Sequence, residues 1–289
     1  MVTTLPADAQ YLSEDTSVAL AAQVQFAKVT TELVPDPIQT SYVKAGSGQP
    51  LLLIHGFDSS LFEFRRLVPQ LTGDAQVWAV DMLGFGFCDR TAPVTPEAIK
   101  HHLHCFWQQH IGQPVVLAGA SMGGAAAIDF TLTYPEAVDK LVLLDSAGFA
   151  AGPAMGKFMV PPLDSLATAF LKNPGVRRRI SQQAYWDKSL VTPDAELCAA
   201  LHLQVPRWKE ALIAFTKSGG YNFLSQRIQE LALPTLVIWG EQDKILGTKD
   251  AARFESTLPD GQLVWIPECG HVPHLEKPQA TAKAIRRFL

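Results

Sequence analysis

From residue 51 onward the chain alternates short strand-like runs with helical stretches, and few architectures tolerate that rhythm. Leu51-Leu52-Leu53-Ile54 is a continuous apolar run of the kind shown by a strand buried on both faces. Residues 61–71 have helical spacing, and residues 76–81 read as a strand. Helix is expected over 96–110, strand over 114–118, helix over 122–134 and strand over 140–145. After a gap, strand 235–239, helix 249–258, strand 262–266 and a last helix to residue 289 resume the pattern. Strand-helix-strand repetition means right-handed βαβ units, and hence an α/β fold: a mostly parallel, eight-stranded sheet with helices on both faces.

The first 37 residues close on Pro35-Asp36-Pro37, a turn signal, and read as an N-terminal extension with a strand near 24–31. Residues 39–45 alternate in β fashion. The rhythm breaks over 147–232, where helical patches and prolines replace any convincing buried strand. The expected organisation is therefore an extension (1–37), a core (38–146 and 233–289) and a helical cap or lid (147–232).

With 24 basic and 28 acidic residues, a formal charge of −4 gives no reason to expect nucleic acid or an anionic membrane as partner. Arg177, Arg178 and Arg179 form the one dense basic run and read as a solvated helix face. Cys88, Cys105, Cys198 and Cys269 are scattered, without a CxxC pair, so neither zinc nor a disulfide framework is expected and the thiols should be reduced and packed. No apolar run approaches the ~20 residues of a transmembrane segment. The acidic start (Asp8, Glu14, Asp15) lacks a signal-peptide pattern, and a cytoplasmic location is the expectation.

Chemistry enters at Gly119-Ala120-Ser121-Met122-Gly123-Gly124, a G-x-S-x-G that follows a strand and opens a helix. A serine on so tight a turn needs small neighbours where strand and helix crowd. The turn lifts the hydroxyl above the sheet's C-terminal edge, where open α/β sheets bind ligands. A hydroxyl needs an adjacent base at neutral pH. Of eight histidines, His271 lies in the loop between the last strand and the last helix, placed to reach over that edge. His274 reads as a helix-start or surface residue, and His101, His102, His104 and His110 as a partly solvated helix face. Two aspartates end strands suitably to orient the imidazole: Asp243 and Asp145.

These motifs, with His55-Gly56-Phe57, Asp81-Met82-Leu83-Gly84-Phe85-Gly86, Trp239-Gly240-Glu241-Gln242-Asp243 and Gly270-His271-Val272-Pro273-His274, make the chain resemble the α/β-hydrolase superfamily from about residue 48 to its end. The resemblance implies the order serine, acid, histidine, here Ser121, Asp243 and His271, with Asp145 as the less usual acid position. It implies an oxyanion hole from the backbone amides of Phe57 and Met122, each worth ~3 kcal/mol in a transition state. His55 and Asp81 would be structural. Haloalkane dehalogenases and epoxide hydrolases of this fold carry an aspartate where Ser121 stands, which argues against both activities.

Phe149, Met155, Phe158, Met159, Phe170, Trp186 and Trp208 make the inserted segment apolar, and Phe57, Met122, Phe149, Trp186 and Trp208 are the expected pocket residues. No anchor for a charged substrate group stands out. The expected activity is cofactor-independent hydrolysis of a small apolar carboxylic ester through an acyl-enzyme. Carbon–carbon bond hydrolysis and haloperoxidase-like perhydrolysis use the same triad and remain alternatives. A non-catalytic scaffold would usually have lost a triad member, and this chain retains candidates for all three.

Overall fold

The computed structural model describes residues 2–149 and 160–289. Eight strands form one sheet: β1 (Gln25–Val29), β2 (Ile38–Ala45), β3 (Pro50–Ile54), β4 (Gln76–Val80), β5 (Val115–Ala120), β6 (Val138–Leu144), β7 (Thr235–Gly240) and β8 (Gly261–Ile266). Their order is β1-β2-β4-β3-β5-β6-β7-β8. Strands β3 to β8 run parallel, and β2 lies antiparallel to both β1 and β4.

Helices α1 (Asp15–Ala21), α2 (Val68–Leu71), α3 (Pro96–His110) and α4 (Met122–Thr133) precede β6. Helices α5 (Leu163–Lys172), α6 (Pro174–Ala184), α7 (Pro193–Ala200) and α8 (Trp208–Lys217) lie between β6 and β7, with no strand among the described residues of that insertion. Helices α9 (Lys249–Thr257), α10 (Pro273–Glu276) and α11 (Pro278–Phe288) complete the chain.

The apolar runs are continuous because the sheet is covered on both sides. Leu52, Ile54, Leu117, Leu143 and Trp239 face α3, α4 and α9, where Leu103, Ala125 and Phe254 meet them. Leu51, Leu53, Val116, Leu144 and Ile238 face the other way, toward Leu20, Leu71 and Ile285. Each such side chain contributes roughly 1.5–3 kcal/mol on burial. Residues 2–37 also pack on this body: β1 pairs with β2, Glu14 binds Arg66 at 2.6 and 2.8 Å, and Leu12 and Leu20 enter the second core.

Two expected helices are broken. Residues 61–71 form a 3-10 turn (Leu61–Phe64) and then the single turn α2. Pro69 has no N–H to return to Arg65, so a continuous helix is barred there. The C-terminal helix divides at Pro278, and Lys277 before it is extended in φ at −131°.

Helix α4 rises directly from β5 and passes so close to β3 that a side chain on Gly123 would collide with the carbonyl oxygens of Ile54 and His55. Gly73, by contrast, has open space around the position of a Cβ. Gly123→Ala should therefore lose roughly 1–3 kcal/mol of stability. Gly73→Ala should lie within about 1 kcal/mol of wild type, on the stabilising side. Chemical denaturation of the two variants checks the contrast.

Candidate active site

Strand β5 ends at Ala120, α4 begins at Met122, and Ser121 between them has φ 52° and ψ −118°. That conformation is strained for a side-chain-bearing residue and persists only when its surroundings enforce it. They do: the Ser121 N–H donates to Leu144 O at 2.9 Å, and its carbonyl accepts from Gly124 and Ala147 at 3.0 Å. The hydroxyl is thereby held at the sheet's C-terminal edge.

His271 lies beyond β8 and donates its backbone N–H to Ala184 O at 2.7 Å, a contact with the end of α6. Its Nε2 is 2.9 Å from Ser121 Oγ, and its Nδ1 is 2.9 Å from Asp243 Oδ2. A carboxylate only accepts, so Nδ1 carries the proton and Nε2 accepts from the serine hydroxyl. Asp243 is itself immobilised, because Oδ1 accepts from the amides of Ile245 (2.7 Å) and Leu246 (3.1 Å). Hydroxyl, imidazole and carboxylate thus form one hydrogen-bonded line, the geometry by which a base activates a nucleophile.

Asp145, at the end of β6, lies behind this line. Its Oδ1 accepts the Gly240 amide at 3.0 Å, and one polar side-chain atom from each of Asp145, Asp243 and His271 lies within 4.8 Å of the other two. Burial first, and then the charge of Asp243, hold the Asp145 carboxyl well above the usual carboxylate range. His271 points its Nδ1 at Asp243, which assigns the orienting contact to Asp243 and leaves Asp145 as a buried neighbour whose ionisation is disfavoured.

The loop after β3 lies against the serine: a Cβ on Gly56 would sit 3.4 Å from Ser121 Cβ. His55 Nδ1–H donates to Gly56 O at 2.8 Å, while its Nε2 accepts the Met82 amide at 3.2 Å. Because a trans peptide points N–H opposite to C=O, this bond turns the Phe57 amide away from His55. Neither the Phe57 nor the Met122 N–H has a hydrogen-bond partner among the described residues.

Two carboxylates that sequence reasoning passed over brace these loops. Glu63 Oε2 accepts the Gly56 amide at 2.7 Å and its Oε1 pairs with His274 Nε2 at 3.1 Å. Burial opposes ionisation of Glu63, but the hydrogen bond and charge of His274 and the Gly56 amide outweigh it and bring the carboxyl down to about 2. Glu276 accepts amides from Gly270 (2.7 Å), Trp186 (3.0 Å) and Asp187 (2.6 Å), tying the His271 loop to the inserted helices. The signal for Glu63 was present: a lone acid among Leu61, Phe62 and Phe64, all buried. Glu276 had none, since two of its three partners, Trp186 and Asp187, lie about 90 positions away in sequence.

A cavity of about 300 Å³ opens over Ser121 and His271, walled by Phe57, Leu171, Ile180, Ala184 and Tyr185 among others. Of the expected pocket residues, Phe57 lines it; the other four lie elsewhere. Met122 is buried in the core. Phe149 packs on Phe254 at 4.7 Å, with Arg253 over its ring. Trp208 donates to Asp58 at 2.7 Å, and Trp186 is half exposed beside Lys244. Met155, Phe158 and Met159 lie outside the described residues.

The basic run is not a uniform solvated face. Arg178 and Arg179 are exposed, but Arg177 turns inward to Asp58 at 2.7 Å and lines the cavity, as does Arg65. On the histidine-bearing helix His101, His104 and His110 are partly exposed as expected, and His102 departs from that reading. His102 is buried and bonded to Thr40 at 2.8 Å, and His104 stacks on Tyr134 at 3.7 Å. His274 is a buried partner of Glu63, not a surface residue. All four cysteines are free and buried; Cys198 lines the cavity, but burial pushes its thiol up to about 12, too high for a thiolate nucleophile.

The model of the α/β hydrolase family matches residues 51–284, and the chain belongs to that family. It is 35% identical over 243 residues to an α/β hydrolase domain-containing protein, VTE7, of Arabidopsis thaliana, covering 83% of this chain and 73% of the relative. It is 30% identical over 267 residues (87% and 88%) to a 2-hydroxy-6-oxo-6-(2'-aminophenyl)hexa-2,4-dienoic acid hydrolase of Metapseudomonas resinovorans. Among solved structures, a thermophilic esterase from Thermogutta terrifontis superposes with a TM-score of 0.78 at 25% identity, over 91% of this chain and 97% of that one. The chain is a hydrolase of this fold. No helix among the described residues is long and apolar enough to cross a membrane.

The depressed Glu63 carboxyl has a consequence for acid stability. A group whose folded pKa lies below its unfolded value of 4.5 adds stability that is fully present above that value and is lost as pH falls toward 2. The Tm difference between wild type and Glu63→Gln should be widest above about pH 5 and shrink toward pH 2. A series of thermal melts across that range tests it.

Proposed function

We propose that the protein hydrolyses carboxylic esters with an apolar acyl or alcohol part, using Ser121 as nucleophile, His271 as general base and Asp243 as the orienting carboxylate. The observation that carries this reading is the unbroken line Ser121 Oγ–His271 Nε2 and His271 Nδ1–Asp243 Oδ2, each step 2.9 Å, beneath a largely apolar cavity. The inserted segment 147–232 acts as a cap whose α6 and α7 supply much of the cavity wall.

In this mechanism Ser121 Oγ attacks the ester carbonyl carbon while its proton passes to His271 Nε2. The carbonyl oxygen becomes an oxyanion and receives the free amides of Phe57 and Met122, donors in place before charge develops. The positive end of α4 lies at the same point. Asp243 stabilises the imidazolium that forms and keeps its Nε2–H directed at the leaving oxygen. Collapse breaks the carbon–oxygen bond, the departing alkoxide takes the proton from His271, and an acyl-Ser121 remains. Water then gives a proton to His271 and attacks the acyl carbon. The second collapse returns the proton to Ser121 and releases the acid. These side chains and water complete the cycle, with no cofactor step.

A second reading, carbon–carbon bond hydrolysis, has two supports. One is the relative from Metapseudomonas resinovorans, whose name gives a dienoic acid substrate. The other is Arg65 at the cavity wall, whose Nε and Nη2 make no hydrogen bond, although Nη2 is ion-paired with Glu14 at 3.9 Å, and which could meet a substrate carboxylate after a small side-chain movement.

Turnover of a short p-nitrophenyl ester should fall on the order of 10⁴-fold in Ser121→Ala and by a similar order in Asp243→Asn. A fluorophosphonate probe should label wild type at Ser121 and leave Ser121→Ala unlabelled. Retained ester turnover in Ser121→Ala would remove the mechanism. Faster cleavage of a dienoic keto acid than of any ester would move the reading to carbon–carbon chemistry.

A further inference from the structure

The Phe57–Asp58 turn is held from two sides by different parts of the molecule. On the sheet side, His55 fixes the Gly56 carbonyl and Glu63 the Gly56 amide. On the other side every hydrogen bond to Asp58 among the described residues comes from the inserted segment. Its Oδ1 accepts from His202 Nε2 at 3.0 Å and from Trp208 Nε1 at 2.7 Å, and its Oδ2 accepts from Arg177 Nη1 at 2.7 Å. Its backbone carbonyl accepts from Arg177 Nη2 at 3.3 Å, and the same nitrogen donates to Ala199 O at 2.6 Å. The three donors come from α6, the turn after α7, and the start of α8.

Asp58 also has φ 50°, a left-handed conformation that an aspartate accepts more readily than most residues but that still costs energy. A surface turn with no task would relax it. Here three donors on one carboxylate over-determine the geometry, and a charged acceptor makes each bond stronger than a neutral pair. Burial works against the ionised carboxyl, yet His202 and Arg177 outweigh it and hold Asp58 well below the usual range. His202 Nδ1 is buried without a partner, so the ring is best satisfied neutral, with its one proton on the Nε2 that faces Asp58. Burial lowers its pKa in the same direction.

We infer that Asp58 is a positioning residue: through Arg177, His202 and Trp208 the inserted helices set the peptide that presents the Phe57 amide to the oxyanion, so that the hydrolytic site is complete only when those helices are seated. This rests on the ester-hydrolase reading above. Asp58 touches no reacting atom; it acts through the adjoining turn. A shift of about 1 Å in an oxyanion donor is enough to cost on the order of 10²-fold in rate.

The test measures kcat and KM per titrated active site, and the affinity of a trifluoromethyl ketone that forms a tetrahedral adduct, across a set of variants. Asp58→Ala should lower kcat on the order of 10²-fold with KM changed less than about threefold. Trp208→Phe, which removes one donor and keeps most of the packing, should lower it roughly tenfold. Ketone affinity should fall in parallel with kcat/KM in both. Asp58→Asn and Arg177→Met combined should cost no more than the worse of the two alone, since both break one contact. If Asp58→Ala does not fold, Trp208→Phe carries the test. Variants with normal kcat and ketone affinity per active site, in an enzyme still abolished by Ser121→Ala, would overturn this inference and leave the ester-hydrolase reading intact. Full turnover in Ser121→Ala would defeat that reading instead.

Discussion

Running strands in one direction gathers their outgoing loops along one edge of the sheet, and those loops carry peptide groups that no strand can pair. An unpaired buried N–H costs about as much as a lost hydrogen bond. This chain meets the constraint with carboxylates. Asp81 accepts the amides of Leu61 and Phe87, Glu63 that of Gly56, Asp145 that of Gly240, Asp243 those of Ile245 and Leu246, and Glu276 three more. Each acid satisfies backbone donors and in doing so fixes a loop against its neighbours. The result is an edge rigid enough to hold a hydroxyl and an imidazole 2.9 Å apart.

The same edge also maintains a strained serine. Ser121 sits in a conformation that its own backbone disfavours, and β5, β6 and α4 hold it there through hydrogen bonds to Leu144, Gly124 and Ala147. Small residues at Gly119, Gly123 and Gly124 allow the crowding, because a Cβ at any of them would overlap backbone or the Ser146 side chain. Local strain is balanced by many ordinary contacts made elsewhere in the core.

The inserted helices do more than roof the cavity. Two hydrogen-bonded joints connect them to the edge: Glu276 bridges the His271 loop to Trp186 and Asp187, and Asp58 joins the turn after β3 to Arg177, His202 and Trp208. One joint touches the loop that carries His271, the proposed base. The other touches the loop that carries Phe57, whose amide is the proposed oxyanion donor. Polar contacts of this type are directional, so they transmit position as well as attraction.

Periodicity and turn chemistry are local properties, and they made the sheet legible without coordinates: the apolar runs of β3, β5, β6 and β7 and the strand–turn–helix around Ser121 stand where the spacing predicts. Strand ends alone offered both Asp145 and Asp243 beside Ser121 and His271, and the order serine, acid, histidine came from the resemblance to the family. Local signals also misled, as when Pro69 and Pro278 interrupted helices whose apolar spacing continued through them. What tertiary structure alone decided was every pairing between distant segments. Arg177 bonds Asp58 across 119 positions, and His274 meets Glu63 across 211. Phe149, Trp186 and Trp208 left the expected pocket because contacts of the same kind, made with residues remote in sequence, claimed their rings. A residue's type restricts what it can bind, whereas the partner it finds is set by how the whole chain packs.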